Sequence, residues 1–171
     1  MSGVQLLERG ACPWKKTEFF DEGMTLGEAV KWLGRRLPNV RRDASEDLKR
    51  VWRVETRLVK AEGRALSYRS TTEEEGADPS RPGYRKQELW TLDLRGLDPL
   101  QVNEVASGQV FFMSAGDTGD SIRTAVYSDE TLLATYHNRR MGHFTARDEA
   151  SARELAAALR RVVGLCRQGR P

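Results

Sequence analysis

The sequence predicts an α+β fold in which an antiparallel sheet system is preceded and followed by one amphipathic helix. Between residues 51 and 139 apolar side chains alternate through six or seven short segments divided by Gly, Asp or Pro, the period of strands with one wet face. Around residues 25–37, and again around 155–166, the apolar period becomes helical. A chain of 171 residues suits one core with appendages rather than two domains.

Residues 1–24 hold no sustained period, yet they carry Trp14, Phe19 and Phe20. They read as an arm that lies on its own domain or is offered to a partner. Thr25-Leu-Gly-Glu28 is a capping box, in which hydroxyl and carboxylate reciprocally take the first free N–H groups of a helix. Leu26, Ala29, Val30, Leu33 and Leu37 then follow at helical spacing, and Pro38 stops the run, so the helix spans about 26–36. The arm and capped helix form an N-terminal section, 1–45, ahead of a β section with its helix, 46–171.

In Val51–Lys60 the residues Trp52, Val54, Thr56 and Leu58 face one way, and Arg53, Glu55 and Arg57 the other. Glu62-Gly63 turns the chain into a second strand through Leu66, Tyr68 and Ser70. The polar residues 71–84, with their acidic run Glu73–Glu75, read as a solvated loop. Strands resume at Arg85–Leu94, Gln101–Ala106, Gln109–Ala115, Ser121–Tyr127 and Thr131–Arg139. The closing helix places Leu155, Leu159, Val162, Val163 and Cys166 on one stripe, with Asp148 and Glu149 at its positive end.

This order of elements, antiparallel strands followed by a single amphipathic helix, resembles the pleckstrin-homology-like superfold over about residues 51–167. The resemblance implies two bent sheets in a barrel or sandwich closed at one corner by the helix. The phosphoinositide-binding members place a Lys in the first hairpin and a basic-x-Arg triplet on the second strand. Lys60 and Arg69 stand at the corresponding places, but the first position of the triplet is Ser67, which departs from the pattern.

Catalytic and metal chemistries find little support. Asp117-Thr-Gly119 matches the aspartic protease tripeptide, but Ser114-Ala-Gly116 before it and Asp120 after it make a turn of small and polar residues. His137 and His143 are six positions apart, a spacing that fits neither a helical nor a strand metal pair. Cys12 and Cys166 lie near opposite ends, no nucleophile elbow occurs, and no Cys lies near a His in the sequence. No metal and no cofactor is expected, and an enzymatic role stays open without being favoured.

The formal net charge of +3 gives the whole chain little pull toward phosphate. Eight Arg from Arg139 to Arg170 face three carboxylates, Asp148, Glu149 and Glu154. That basic end reads first as a solvated helix face, and secondly as a contact for nucleic acid or anionic membrane. Arg greatly outnumbers Lys, as in GC-rich bacterial coding. The N-terminus has no secretory pattern and no stretch approaches a membrane span, so a cytoplasmic location is expected.

The binding candidates are Tyr136, His137, Arg139, Arg140 and His143, the one local cluster of aromatic and basic side chains, together with Lys60 and Arg69. The first expectation is a non-enzymatic module, an adaptor or regulatory subunit that recognises a protein or peptide partner, because an exposed sheet edge takes up peptides by strand addition. The alternatives are a small enzyme or small-molecule carrier that uses His137 or His143 in a pocket, and an electrostatic contact through the Arg-rich end.

Overall fold

The structure is a computed structural model of the chain, and it describes residues 23–45, 50–76, 80, 83–116 and 120–169. The arm expected over 1–24, apart from Gly23 and Met24, lies outside the described residues, as do Cys12 and Asp117–Gly119. The first helix, α1, is Leu26–Arg36, and Thr25 and Glu28 form the expected capping box. Two strands follow: β1, Asn39–Ser45, and β2, Arg50–Glu62. A turn with Gly63 at φ +59° leads into β3, Ala65–Glu75, a left-handed conformation that Gly adopts without steric penalty. Next come β4, Arg85–Asp93, two short 3-10 turns, β5, Asn103–Val105, β6, Gln109–Met113, β7, Ile122–Ser128, β8, Thr131–Tyr136, and β9, Met141–Thr145. The second helix, α2, is Glu149–Gln168, capped by Asp148 and ended by Gly169 in the left-handed region.

Among the described residues the architecture is thus α+β, with two helices and antiparallel pairing throughout. The described residues form nine strands where the sequence pattern gave six or seven, and they divide into two open sheets with no closed barrel. The six-stranded sheet has the order β1-β2-β3-β4-β7-β8, and the three-stranded sheet β5-β6-β9. Two strands had no apolar signature to reveal them. In β1, Arg41, Arg42 and Asp43 dominate, because an edge strand needs little apolar surface. In β9 only five residues are used, and one of them is Gly142.

The loop expected from residue 71 is also corrected. Instead β3 continues to Glu75, paired with Val51 of β2. Its acidic run is neutralised across the sheet: Glu73 meets Arg85 at 2.8 Å and Arg53 at 3.8 Å, Glu74 meets Arg50 at 3.3 Å, and Glu75 meets Arg42 at 3.0 Å. Opposite charges on facing strands stabilise the pairing that a bare acidic run would oppose.

The core lies between the inner face of the large sheet, the small sheet and the helices. Leu66, Tyr68, Trp90 and Leu92 meet Val110, Phe112 and Phe144, while Leu155, Leu159, Val162 and Val163 of α2 and Ala29, Val30, Trp32 and Leu33 of α1 close the end. Tyr68 stacks on Trp90, with ring centroids 6.1 Å apart and planes 9° apart, and meets the edge of Phe144 at 5.9 Å. No described helix is long and apolar enough to cross a membrane.

Candidate functional site

Three of the seven candidate residues converge, because β8 and β9 belong to different sheets and the chain between them crosses over Trp90. The Arg139 guanidinium lies 5.1 Å from the Trp90 ring centroid and 5.2 Å from that of Tyr136. Its Nη1 reaches Thr124 Oγ1 at 3.5 Å. A cation between two aromatic faces is worth about 0.5–2 kcal/mol per ring, most when desolvated. This arrangement ties the end of β8 to the core. The strand expected to run to Arg139 stops short: β8 ends at Tyr136, which is 48% exposed, and Asn138 has φ +55°.

His143 sits below this pair in β9, its ring 5.5 Å from Trp90 and 5.7 Å from Phe111. Its backbone carbonyl accepts a 2.6 Å hydrogen bond from the Tyr68 hydroxyl, and burial raises the Tyr68 phenol well above its ordinary range. Burial likewise holds the His143 imidazole below its ordinary 6.5; Glu88 pulls the other way, and Arg139 and Lys86 reinforce the depression. A His that folds neutral takes up protons on unfolding. Its contribution to stability is therefore complete above pH 6.5 and declines as pH falls through the depressed value. Urea midpoints measured from pH 8 to 5 should fall more steeply for the parent than for His143→Phe. Parallel curves would remove His143 from the account.

The other candidates stand apart. His137 and Arg140 are exposed in the crossover, and Arg140 accepts the Ser114 N–H through its carbonyl at 2.9 Å. Lys60 and Arg69 lie on the outer face of the large sheet, Lys60 opposite Ser67 and Arg69 opposite Arg57. Lys60 has Glu62 at 3.7 Å. Within the Arg-rich end, Arg160 donates to Val102 O at 2.9 Å and Glu104 at 2.7 Å, and Arg167 donates to Leu97 O at 3.1 Å. Cys166 is buried in the core, and burial raises its thiol, the setting of an inert cysteine. The described residues hold no group of three or more His, Cys, Asp or Glu able to bind a metal ion.

The feature that residue-by-residue scanning missed is the edge strand beside this cluster. Among the described residues β8 pairs only with β7. A bulge lets Leu132 face Tyr127 and Ala134 face Val126, leaving Leu133 between them. Leu132 is 54% exposed, Leu133 63% and Tyr136 48%. Edges are ordinarily protected by charge or Pro. The other edge, β1, is protected by Arg41, Arg42 and Asp43, but Thr131-Leu-Leu-Ala-Thr-Tyr136 has neither charge nor Pro. A cleft of about 350 Å³ lies next to it, lined by Tyr84, Lys86, Val126, Tyr127 and Leu133. No local signal marked this segment as an edge: Thr131–Tyr136 is uncharged, but so is the longer run Val105–Gly116, which supplies the central strand of the small sheet. No protein-family model, curated protein or solved structure matches the chain.

Proposed function

We propose that the protein is a binding module of pleckstrin-homology-like architecture, an adaptor or regulatory subunit that takes up an extended peptide of a partner protein along β8. The observation that carries this reading is the contrast between its edges: β1 is charged, whereas β8 is uncharged and exposes Leu132, Leu133 and Tyr136. Strand addition supplies main-chain hydrogen bonds for affinity, and a pocket beside the edge selects side chains. The cleft between Tyr84, Tyr127 and Leu133 is placed for that second task. Bulges at such edges re-aim side chains, and the one at Leu133 turns two successive Leu toward solvent. The architectural part of the reading is supported by two antiparallel sheets with a C-terminal helix packed against the smaller.

Panning a random peptide library on the full chain tests the proposal, with Leu132→Lys/Leu133→Lys as the competitor surface. Both Leu are more than half exposed, so their replacement leaves stability within about 0.5 kcal/mol. Selected peptides should lose binding to the β8 variant and keep it for Val40→Lys on β1. Peptides that bind the β8 variant as well as the parent would overturn the reading.

A further inference from the structure

A second concave site lies at the β1 end of the large sheet, the edge opposite β8. The last turn of α1, the start of β1 and the first turns of α2 meet there around a cleft of about 220 Å³ that Arg35, Arg36, Asn39, Arg147, Ser151 and Glu154 line. Trp32, fully buried, also lines it, and the Arg36 guanidinium lies 5.6 Å above the Trp32 ring. A guanidinium held over an aromatic ring can still donate through its N–H groups. Neither Arg35 nor Arg36 has a carboxylate partner among the described residues. Arg147 Nε pairs with Asp148 Oδ2 at 3.3 Å, and the other oxygen of that carboxylate caps α2 by accepting the Ser151 N–H at 2.7 Å.

Cations in the last turn of a helix complement its dipole, which accounts for Arg35 and Arg36 alone. It does not account for Arg147, which arrives from another element to line the same hollow. We infer that this cleft binds a phosphate monoester. Three guanidiniums against the Glu154 and Asp148 carboxylates leave about one positive charge, and a phosphate monoester brings about −1.5 to −2 near pH 7 with three acceptor oxygens. Guanidinium forks suit those oxygens. The volume lies below the roughly 300–1,000 Å³ of pockets for drug-sized ligands, so the cleft takes the phosphate and its first few atoms. The monoester belongs either to a free small molecule or to a phosphorylated side chain, and the chemistry of recognition is shared.

The test is an NMR titration of the full chain at low salt with phenyl phosphate, benzoate and a short phosphoserine peptide, following the Trp32 indole and Ser151 amide signals. Phenyl phosphate should shift both and bind at least about tenfold tighter than benzoate, the monoanion, since each charge-assisted bond to a dianion is strong. Arg35→Gln/Arg36→Gln and Arg147→Gln should each weaken it about tenfold or more, whereas Arg57→Gln/Arg69→Gln, on the outer face, should leave it unchanged. Tighter binding of the phosphopeptide than of phenyl phosphate assigns the group to a protein, and the reverse order assigns it to a small molecule. Absence of shifts at Trp32 and Ser151, benzoate binding as well as phenyl phosphate, or an equal loss in the outer-face variant would overturn the inference.

Discussion

Trp90→Ala is expected to lower the free energy of unfolding by about 3–5 kcal/mol, the range for truncating a large buried aromatic. Small domains hold only about 5–15 kcal/mol in total, so the variant should be close to the limit of folding at 25 °C. The loss has identifiable parts. Trp90 is 1% exposed and stacks on Tyr68, with His143 against it from the small sheet and Arg139 above. Removing the ring leaves a cavity bounded by both sheets and takes away one of the two platforms of Arg139. Trp90→Phe separates ring from hydrogen bonding, because the Trp90 Nε1–H is buried with no acceptor among the described residues. Phe deletes that orphan donor, which itself opposes folding, while retaining part of the aromatic contact, so its loss should be clearly the smaller. Urea unfolding followed by far-UV circular dichroism measures both. An Ala variant within 1 kcal/mol of the parent would mean that the two sheets do not depend on this ring.

How far the sequence revealed this arrangement depended on whether a signal was local. The capped helix at Leu26–Arg36 and the stripe Leu155, Leu159, Val162, Val163 and Cys166 were legible, because caps and helical period are read within a dozen residues. The hairpin at Gly63 was legible for the same reason. The extension of β3 through Glu73–Glu75 was not, since the cations that make it tolerable come from β1, β2 and β4: Arg42, Arg50, Arg53 and Arg85. The candidate cluster was half legible. Tyr136, Arg139 and His143 are close in sequence and meet in space, but the ring that unites them, Trp90, lies some fifty residues earlier. Thr131–Tyr136 was recognisable as a strand. That it forms the outer edge of a six-stranded sheet is a property of strand order, which alternation along one segment does not encode.

Gly142→Ala should produce the second large effect, about 1–3 kcal/mol or somewhat more, through overpacking alone. The residue lies in β9 opposite Phe112, and its backbone is outside the left-handed region that would itself exclude Ala. A Cβ there would fall 2.3 and 2.6 Å from Phe112 ring atoms and 3.0 Å from the Trp90 ring. Neither ring has room to yield, Phe112 being fully buried and Trp90 nearly so. The contrast is Gly63, where φ is +59° but no atom lies within 4 Å of the added Cβ. There an Ala meets only the left-handed penalty of about 1–2 kcal/mol. The two variants should differ in whether a second substitution rescues them. Phe112→Leu shortens the side chain that the new methyl strikes, so Gly142→Ala/Phe112→Leu should lose less than the sum of the two single variants, the coupling expected of residues in contact. The same partner should give no relief to Gly63→Ala. Additive losses for Gly142 and Phe112 would show that the small sheet moves away from the large one instead of straining against it, and the approach of the two sheets at Trp90 would then rest on side-chain attraction without requiring a glycine.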